Sequence, residues 1–218
     1  MRSFILISIM FASFLSVSAQ KKIIFVQAKM GKSIPVGTFA QTGVGVENGY
    51  AQTGNNLSFE GGYYIINKAG IYLSYSTAKF PFNDTQLGFD YGIQATVGDY
   101  QTEFYGIGLF YEFDPKNNFN IMARICFGEH RATFPQQHYE DGENVLDVPS
   151  NTQKKISIPI GIDFKYFIFQ NLGFLASVDY QFAEHKHTWG VSGYYPVTAE
   201  WDISYQTFNF DLGVIFRL

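Results

Sequence analysis

Histidines and carboxylates set the range of chemistry open to this chain. His185 and His187 stand two apart, so an extended backbone projects both to one side, a spacing that can chelate a transition metal. No third ligand is identifiable, and a pair of polar rim side chains is the plainer reading. Glu129 adjoins His130, and His138 is followed by Glu140. Acyl-transfer chemistry would need a serine nucleophile beside such a histidine and acid, and no nearby serine completes the set. The segment Pro135 to Thr152 carries Glu140, Asp141, Glu143 and Asp147 without Lys or Arg. It can collect divalent cations, although it lacks the ordered oxygen spacing of an EF-hand loop, and a solvated acidic surface is the simpler account. Trp189 and Trp201 flank Tyr194, Tyr195 and Pro196, an aromatic group suited to partner contact or to a membrane interface.

The elements that must position these groups are strands. Phe208, Phe210, Leu212, Val214, Phe216 and Leu218 alternate with Asn209, Asp211, Gly213, Ile215 and Arg217, and two-residue alternation places the sets on opposite faces. Seven earlier segments repeat the pattern, beginning near Ile24, Leu57, Ile71, Tyr105, Phe119, Ile156 and Phe174. No apolar-face position carries a charge. The opposite faces hold Lys29, Glu60, Glu112, Arg124, Asp163, Lys165, Asp179, Asp211 and Arg217. A soluble barrel would turn those charges to water, and alternation alone does not exclude that arrangement.

Connection lengths discriminate. Asn67 to Gly70, Asp114 to Asn118 and Phe169 to Leu172 are short turns. Ser33 to Asn56, Lys79 to Gln101, Pro135 to Lys154 and Glu184 to Ile203 are long links. Alternating short and long connections with an even strand number belong to transmembrane barrels. The expected fold is therefore all-β: a closed antiparallel up-and-down transmembrane β-barrel of eight strands. Ten is the alternative, because Leu87 to Val97 also alternates and, as a ninth strand, would require a tenth at Gly37 to Val46. Eight strands enclose room only for side chains, so a packed polar interior is expected rather than a wide pore. The turn at Phe169 to Leu172 should bring Asp163 near Asp179, and two such acids need a cation between them, for which Arg124 and Lys165 are the candidates.

Arg2, the apolar run Phe4 to Leu15 and the small residues Val17-Ser18-Ala19 read as a secretory signal, residues 1–19, ahead of a single barrel, residues 20–218. Gln20 rather than cysteine follows, so no lipid anchor is expected. The formal net charge of -4 without a basic stripe excludes nucleic acid as a partner class. Cys126 is the only cysteine, so no internal disulfide forms. The 15 Tyr, 23 Phe and 21 Gly suit half-buried strands, aromatic girdles and tight turns.

These features resemble the small outer-membrane β-barrel family of Gram-negative envelopes, the OmpA-like and OmpX-like group. The apolar C-terminal ending, with Gly213, Phe216 and Leu218, resembles the assembly signal of such barrels, and Gly31 followed by Ile34-Pro35-Val36-Gly37 and Phe39 is similar to their first-strand exit. The resemblance implies the cell outer membrane as location. It implies outer-membrane lipid, lipopolysaccharide and the assembly machinery as partners, with an extracellular ligand or envelope protein beyond them. Since the family's scaffold serves many purposes, function rests on the residues: a non-enzymatic barrel without cofactor, serving envelope structure or surface binding. A lipid A deacylase or acyltransferase and a soluble lipocalin-like carrier are the alternatives.

Overall fold

The computed structural model describes residues 24–44, 48–115, 117–141, 144–191 and 197–218. The segment read as an export signal lies outside them. Alternating β-branched and aromatic residues form strands because such side chains pack well on a pleated surface. The barrel strands are β1 (Ile24–Val36), β2 (Gly54–Ile66), β3 (Ala69–Phe80), β5 (Tyr100–Glu112), β6 (Phe119–Phe134), β9 (Asn151–Ser157), β10 (Ile160–Phe167), β11 (Leu172–Val191) and β12 (Val197–Arg217). Sequential neighbours pair antiparallel, and β12 returns to β1 from Phe25↔Arg217 to Val36↔Gln206, closing the cylinder.

β9 and β10 are two halves of one wall strand. Both pair with β6 in a single unbroken register, Gly128↔Ser157 and Ile160↔Ile125, with Ile158-Pro159 between them. The cylinder therefore has eight walls, as expected. The ten-strand alternative is overturned by the segment Leu87 to Val97. Asp84–Tyr91 forms a helix, α1, closed by Gly92 in the left-handed region, and only Gln94–Val97 (β4) is extended. β4 joins β7 (Gln137–Asp141) and β8 (Asn144–Val148) in a separate three-stranded sheet beyond the barrel mouth. Gly37–Phe39 is a 3-10 turn, not the start of a tenth wall.

Side-chain polarity is inverted relative to a soluble barrel. Met30, Leu73, Leu109 and Leu212 are 66%, 64%, 60% and 70% exposed on the outside, whereas Glu112, Asp163 and Lys165 are fully buried within. No helix among the described residues is long and apolar enough to cross a membrane; this chain crosses with strands. The apolar belt ends at the outer side where Glu103, Glu129, Arg131, Lys154 and Glu184 take outward positions. Aromatic pairs sit near its margins, Tyr75 with Tyr105 and Tyr180 with Phe208 outside and Tyr111 with Phe113 inside, the usual place for rings with one wet edge.

The interior is not the uniformly polar core anticipated. Phe25, Tyr64, Phe110, Met122 and Phe167 fill the short-turn end. Phe39, Phe80, Tyr100, Phe134 and Tyr205 fill the opposite mouth. Gly37, at φ +61°, turns the chain inward so that Phe39 drops against Phe80, Tyr100 and Tyr205 at centroid distances of 5.1, 5.2 and 4.2 Å. Charges occupy layers between and among these rings. Rings close the ends because charge alone could not fill the volume without leaving unpaired groups.

The wall also has a seam. Pro159 has no N–H to give β11, although its carbonyl still accepts from Cys126 N at 2.9 Å. Above it β9 ladders only with β6, while β11 ladders only with β12. Ser157 Oγ bridges the parting by donating to the Phe182 carbonyl at 2.7 Å.

Candidate functional site

Alternation and register bring eight of the nine inward charges into two groups. Nearer the short turns, Glu112 lies against Arg217 and accepts from the Tyr64 hydroxyl, with Lys165 Nζ at 3.7 Å. The cations also cover rings: Lys165 lies 4.9 Å from the Phe25 centroid and Arg217 3.8 Å from that of Phe167. The second group centres on Arg124. Its Nη1 donates to Glu60 at 2.6 Å, and its Nη2 reaches both Asp163 at 2.8 Å and Asp179 at 2.6 Å. Lys29 Nζ contacts Glu60 at 2.8 Å and Asp179 at 3.3 Å, with Asp163 at 3.9 Å. Gln27 Nε2 completes the set, donating to Glu60 at 2.6 Å and to Asp163 at 3.1 Å.

Register explains why Arg124 fills this place. Asp163 faces Ser177 and Asp179 faces Gly161, so the two acids lie on a diagonal rather than directly opposed. Arg124 faces Gly161 from the other side. The guanidinium thus crosses a residue with no side chain: a Cβ on Gly161 would stand 1.7 Å from Asp179 Oδ1 and 3.1 Å from Arg124 Nη2. Lys165, the other candidate cation, serves Glu112 instead. Asp211 differs from its eight companions: it accepts from Asn56 Nδ2 at 3.3 Å, and no base lies within ion-pair distance of it among the described residues.

The histidine pairing differs from the expected one. His185 is fully buried inside the barrel, and its Nε2 lies 2.8 Å from Nδ1 of His130 on β6. Tyr205 packs against both rings, at 5.7 Å from His130 and 5.1 Å from His185. The His187 side chain lies outside the described residues, as do those of Trp189 and Trp201 and the whole of Tyr194 and Tyr195. Two imidazoles in this contact share one hydrogen bond. Among the described residues no group of three His, Cys, Asp or Glu side chains is placed to hold a metal. Glu129 and His130, adjacent in sequence, face opposite sides of the wall: Glu129 holds Arg131 at 2.5 Å outside, while His130 is buried. They cannot act on one substrate.

In the outer sheet His138 Nδ1 lies 2.6 Å from Asp147 and Nε2 3.0 Å from Glu140. The bond to Asp147, and then that to Glu140, raises the His138 pKa above its ordinary value, because each stabilises the imidazolium. With a carboxylate at each nitrogen, this ring ties β7 to β8. Glu140 and Asp147, two of the four acids expected to gather divalent ions, are thereby engaged; the side chains of the other two, Asp141 and Glu143, lie outside the described residues. Nearby, Asp90 accepts from the Tyr50 hydroxyl at 2.8 Å, which holds its carboxyl below the usual range.

The residues that sequence reasoning missed are Phe39, His130 as a partner, Pro159 and the inward aromatics. Pro159 interrupts the apolar series Ile156 to Ile162, a visible sign of a broken ladder. The His130–His185 contact carried no local sign, since 55 positions separate the two.

No family model matches the sequence, and no curated relative matches it. Solved structures share its fold. The outer membrane protein OprG from Pseudomonas aeruginosa is 13% identical, with a TM-score of 0.60, over 91% of this chain and 97% of that one. The outer membrane protease OmpT from Escherichia coli is 8% identical, with a TM-score of 0.55, over 93% and 99%. Ail, the attachment invasion locus protein of Yersinia pestis, is 11% identical, with a TM-score of 0.51, over 91% and 100%. These likenesses establish the fold as that of small outer-membrane barrels, and with the apolar perimeter they make this an outer-membrane β-barrel. They span a protease and an attachment protein, so fold alone does not choose among functions.

Proposed function

We propose that this barrel works outside the membrane as a non-catalytic surface protein, its sealed lumen acting as a rigid base. One observation carries the reading. The β11–β12 ladder runs on from Ala183↔Tyr205 to Val191↔Val197, beyond the apolar belt, about 27 Å of paired strand at 3.4 Å per residue. The sheet of β4, β7 and β8 stands at the same mouth, so ordered backbone is carried outward while aromatic rings close the channel below. Such projections suit contact with lipopolysaccharide, a surface ligand or an envelope protein. Crosslinking in intact envelopes tests this by comparing the full chain with one whose β4, β7 and β8 are replaced by short turns. Loss of crosslinked species supports the reading; an unchanged set overturns it.

The seam favours a second reading directed at lipid. Phe127, Ile156 and Phe182 wall an open groove of about 840 Å³ rimmed by Lys154, Lys155, Glu129 and Glu184, a shape and a mixed charge suited to the apolar chain and polar head of an amphiphile. Here the measurement is lipid A mass spectrometry with and without the protein. A changed acylation pattern would turn the assignment from surface contact to lipid chemistry.

A further inference from the structure

The buried lumen has one negative charge too many. Lys29, Arg124, Lys165 and Arg217 face Glu60, Glu112, Asp163, Asp179 and Asp211, and every acid but Asp211 touches a base. A lone carboxylate in a water-poor interior is costly unless something neutralises it. Asp211, Asn56 and Ser58 are 4%, 7% and 5% exposed, and each has an oxygen without a partner: Asp211 Oδ1, Asn56 Oδ1 and Ser58 Oγ. All three line one small cavity inside the barrel, with about 30 Å³ open to the centre of a water-sized occupant. Register places the space. Asn56 and Asp211 flank Gly31 on its two sides, and Gly31 puts no side chain between them. Ser177, opposite Asp211 on β11 but not in the cavity lining, also has an unpartnered hydroxyl.

We propose that this cavity binds a monovalent alkali cation of sodium size, with Asp211 supplying the charge and Asn56 and Ser58 neutral oxygens. Carboxylate, amide and hydroxyl oxygens are hard donors, which select alkali and alkaline-earth ions over transition metals. One free carboxylate and one surplus charge match a single positive charge rather than two. Lys29 and Arg124 also line the cavity, but Glu60, Asp163 and Asp179 already hold their charged ends.

The test compares unfolding of the full chain in neutral detergent with sodium chloride and with choline chloride at constant ionic strength. Binding to the folded state alone lowers the unfolding constant by 1 + [Na⁺]/Kd, about elevenfold at ten times Kd. Asp211→Asn should remove the difference between the salts. Should that variant not fold, Ser58→Ala, which keeps the charge and removes an oxygen, should move the sodium response to higher concentration. Equal unfolding in both salts overturns the proposal. So does a response to pH without one to sodium, since the neutralising species would then be a proton on Asp211. Neither result bears on the surface role, which rests on the outer strands.

Discussion

Arg124→Met is the most informative perturbation of the lumen. The substitution keeps much of the side-chain volume and deletes a cation that contacts Glu60, Asp163 and Asp179 within 2.8 Å. Three carboxylates then share Lys29 alone. Removing one partner of a buried ion pair costs about 3–5 kcal/mol, mostly as the penalty of the stranded charge. The three contacts form one network, so their losses do not add, and that same range is the expected total. It corresponds to roughly 2 to 3.5 orders of magnitude in the unfolding constant at 1.4 kcal/mol per decade. Urea titration of folding into detergent micelles, read by the gel shift between folded and unfolded forms, gives the number. Arg124→Lys should fall between, because an ammonium keeps the charge but not the fork that reaches Glu60 through one nitrogen and Asp163 and Asp179 through the other. Adding Asp163→Asn and Asp179→Asn to Arg124→Met should recover a large part of the loss, since the stranded charges go with their cation. A loss below about 1 kcal/mol, the range of solvent-exposed pairs, would refute the claim that this layer is desolvated.

Three further outcomes follow from separate parts of the molecule. Gly161→Ala should destabilise by about 1–3 kcal/mol, the range for an overpacked interior, because its methyl would overlap Asp179 Oδ1; the same urea titration measures it. Leu109→Arg, on the lipid face at 60% exposure, should cost about 2–4 kcal/mol in bilayers if it lies near the midplane, and much less in the lumen-neutral control Leu109→Val. For His138 the folded-state pKa lies above the ordinary 6.5, so its contribution to the outer sheet is complete below the unfolded-state pKa and is lost as pH rises through the folded one. Proton NMR titration of its ring should give a pKa above 6.5, with faster amide exchange in β7 and β8 on the alkaline side; Asp147→Asn should lower that pKa.

What the sequence made legible, and what it did not, follows from the geometry of a closed sheet. Period two assigns each residue to a face, so Lys29, Arg124 and Asp211 could be placed inside from their neighbours alone, and Leu73 and Leu212 outside. Facing is not adjacency. That Arg124 meets Asp179 depends on both flanking Gly161 in the same row, which requires the pairing of three strands. His130 and His185 meet inside the barrel although their strands, β6 and β11, are not paired with each other. The inward aromatics were legible one by one, as Phe25 and Phe110 share the register of Lys29 and Glu112, but their role as closing layers appears only when eight walls converge. Leu87 to Val97 shows the opposite failure: its alternation is real, yet Asn83 caps a helix at Gln86 N and the stretch leaves the wall. Alternation is necessary for a wall strand, and neighbours on both sides make it sufficient. β9, laddered with β6 alone, marks where that condition lapses.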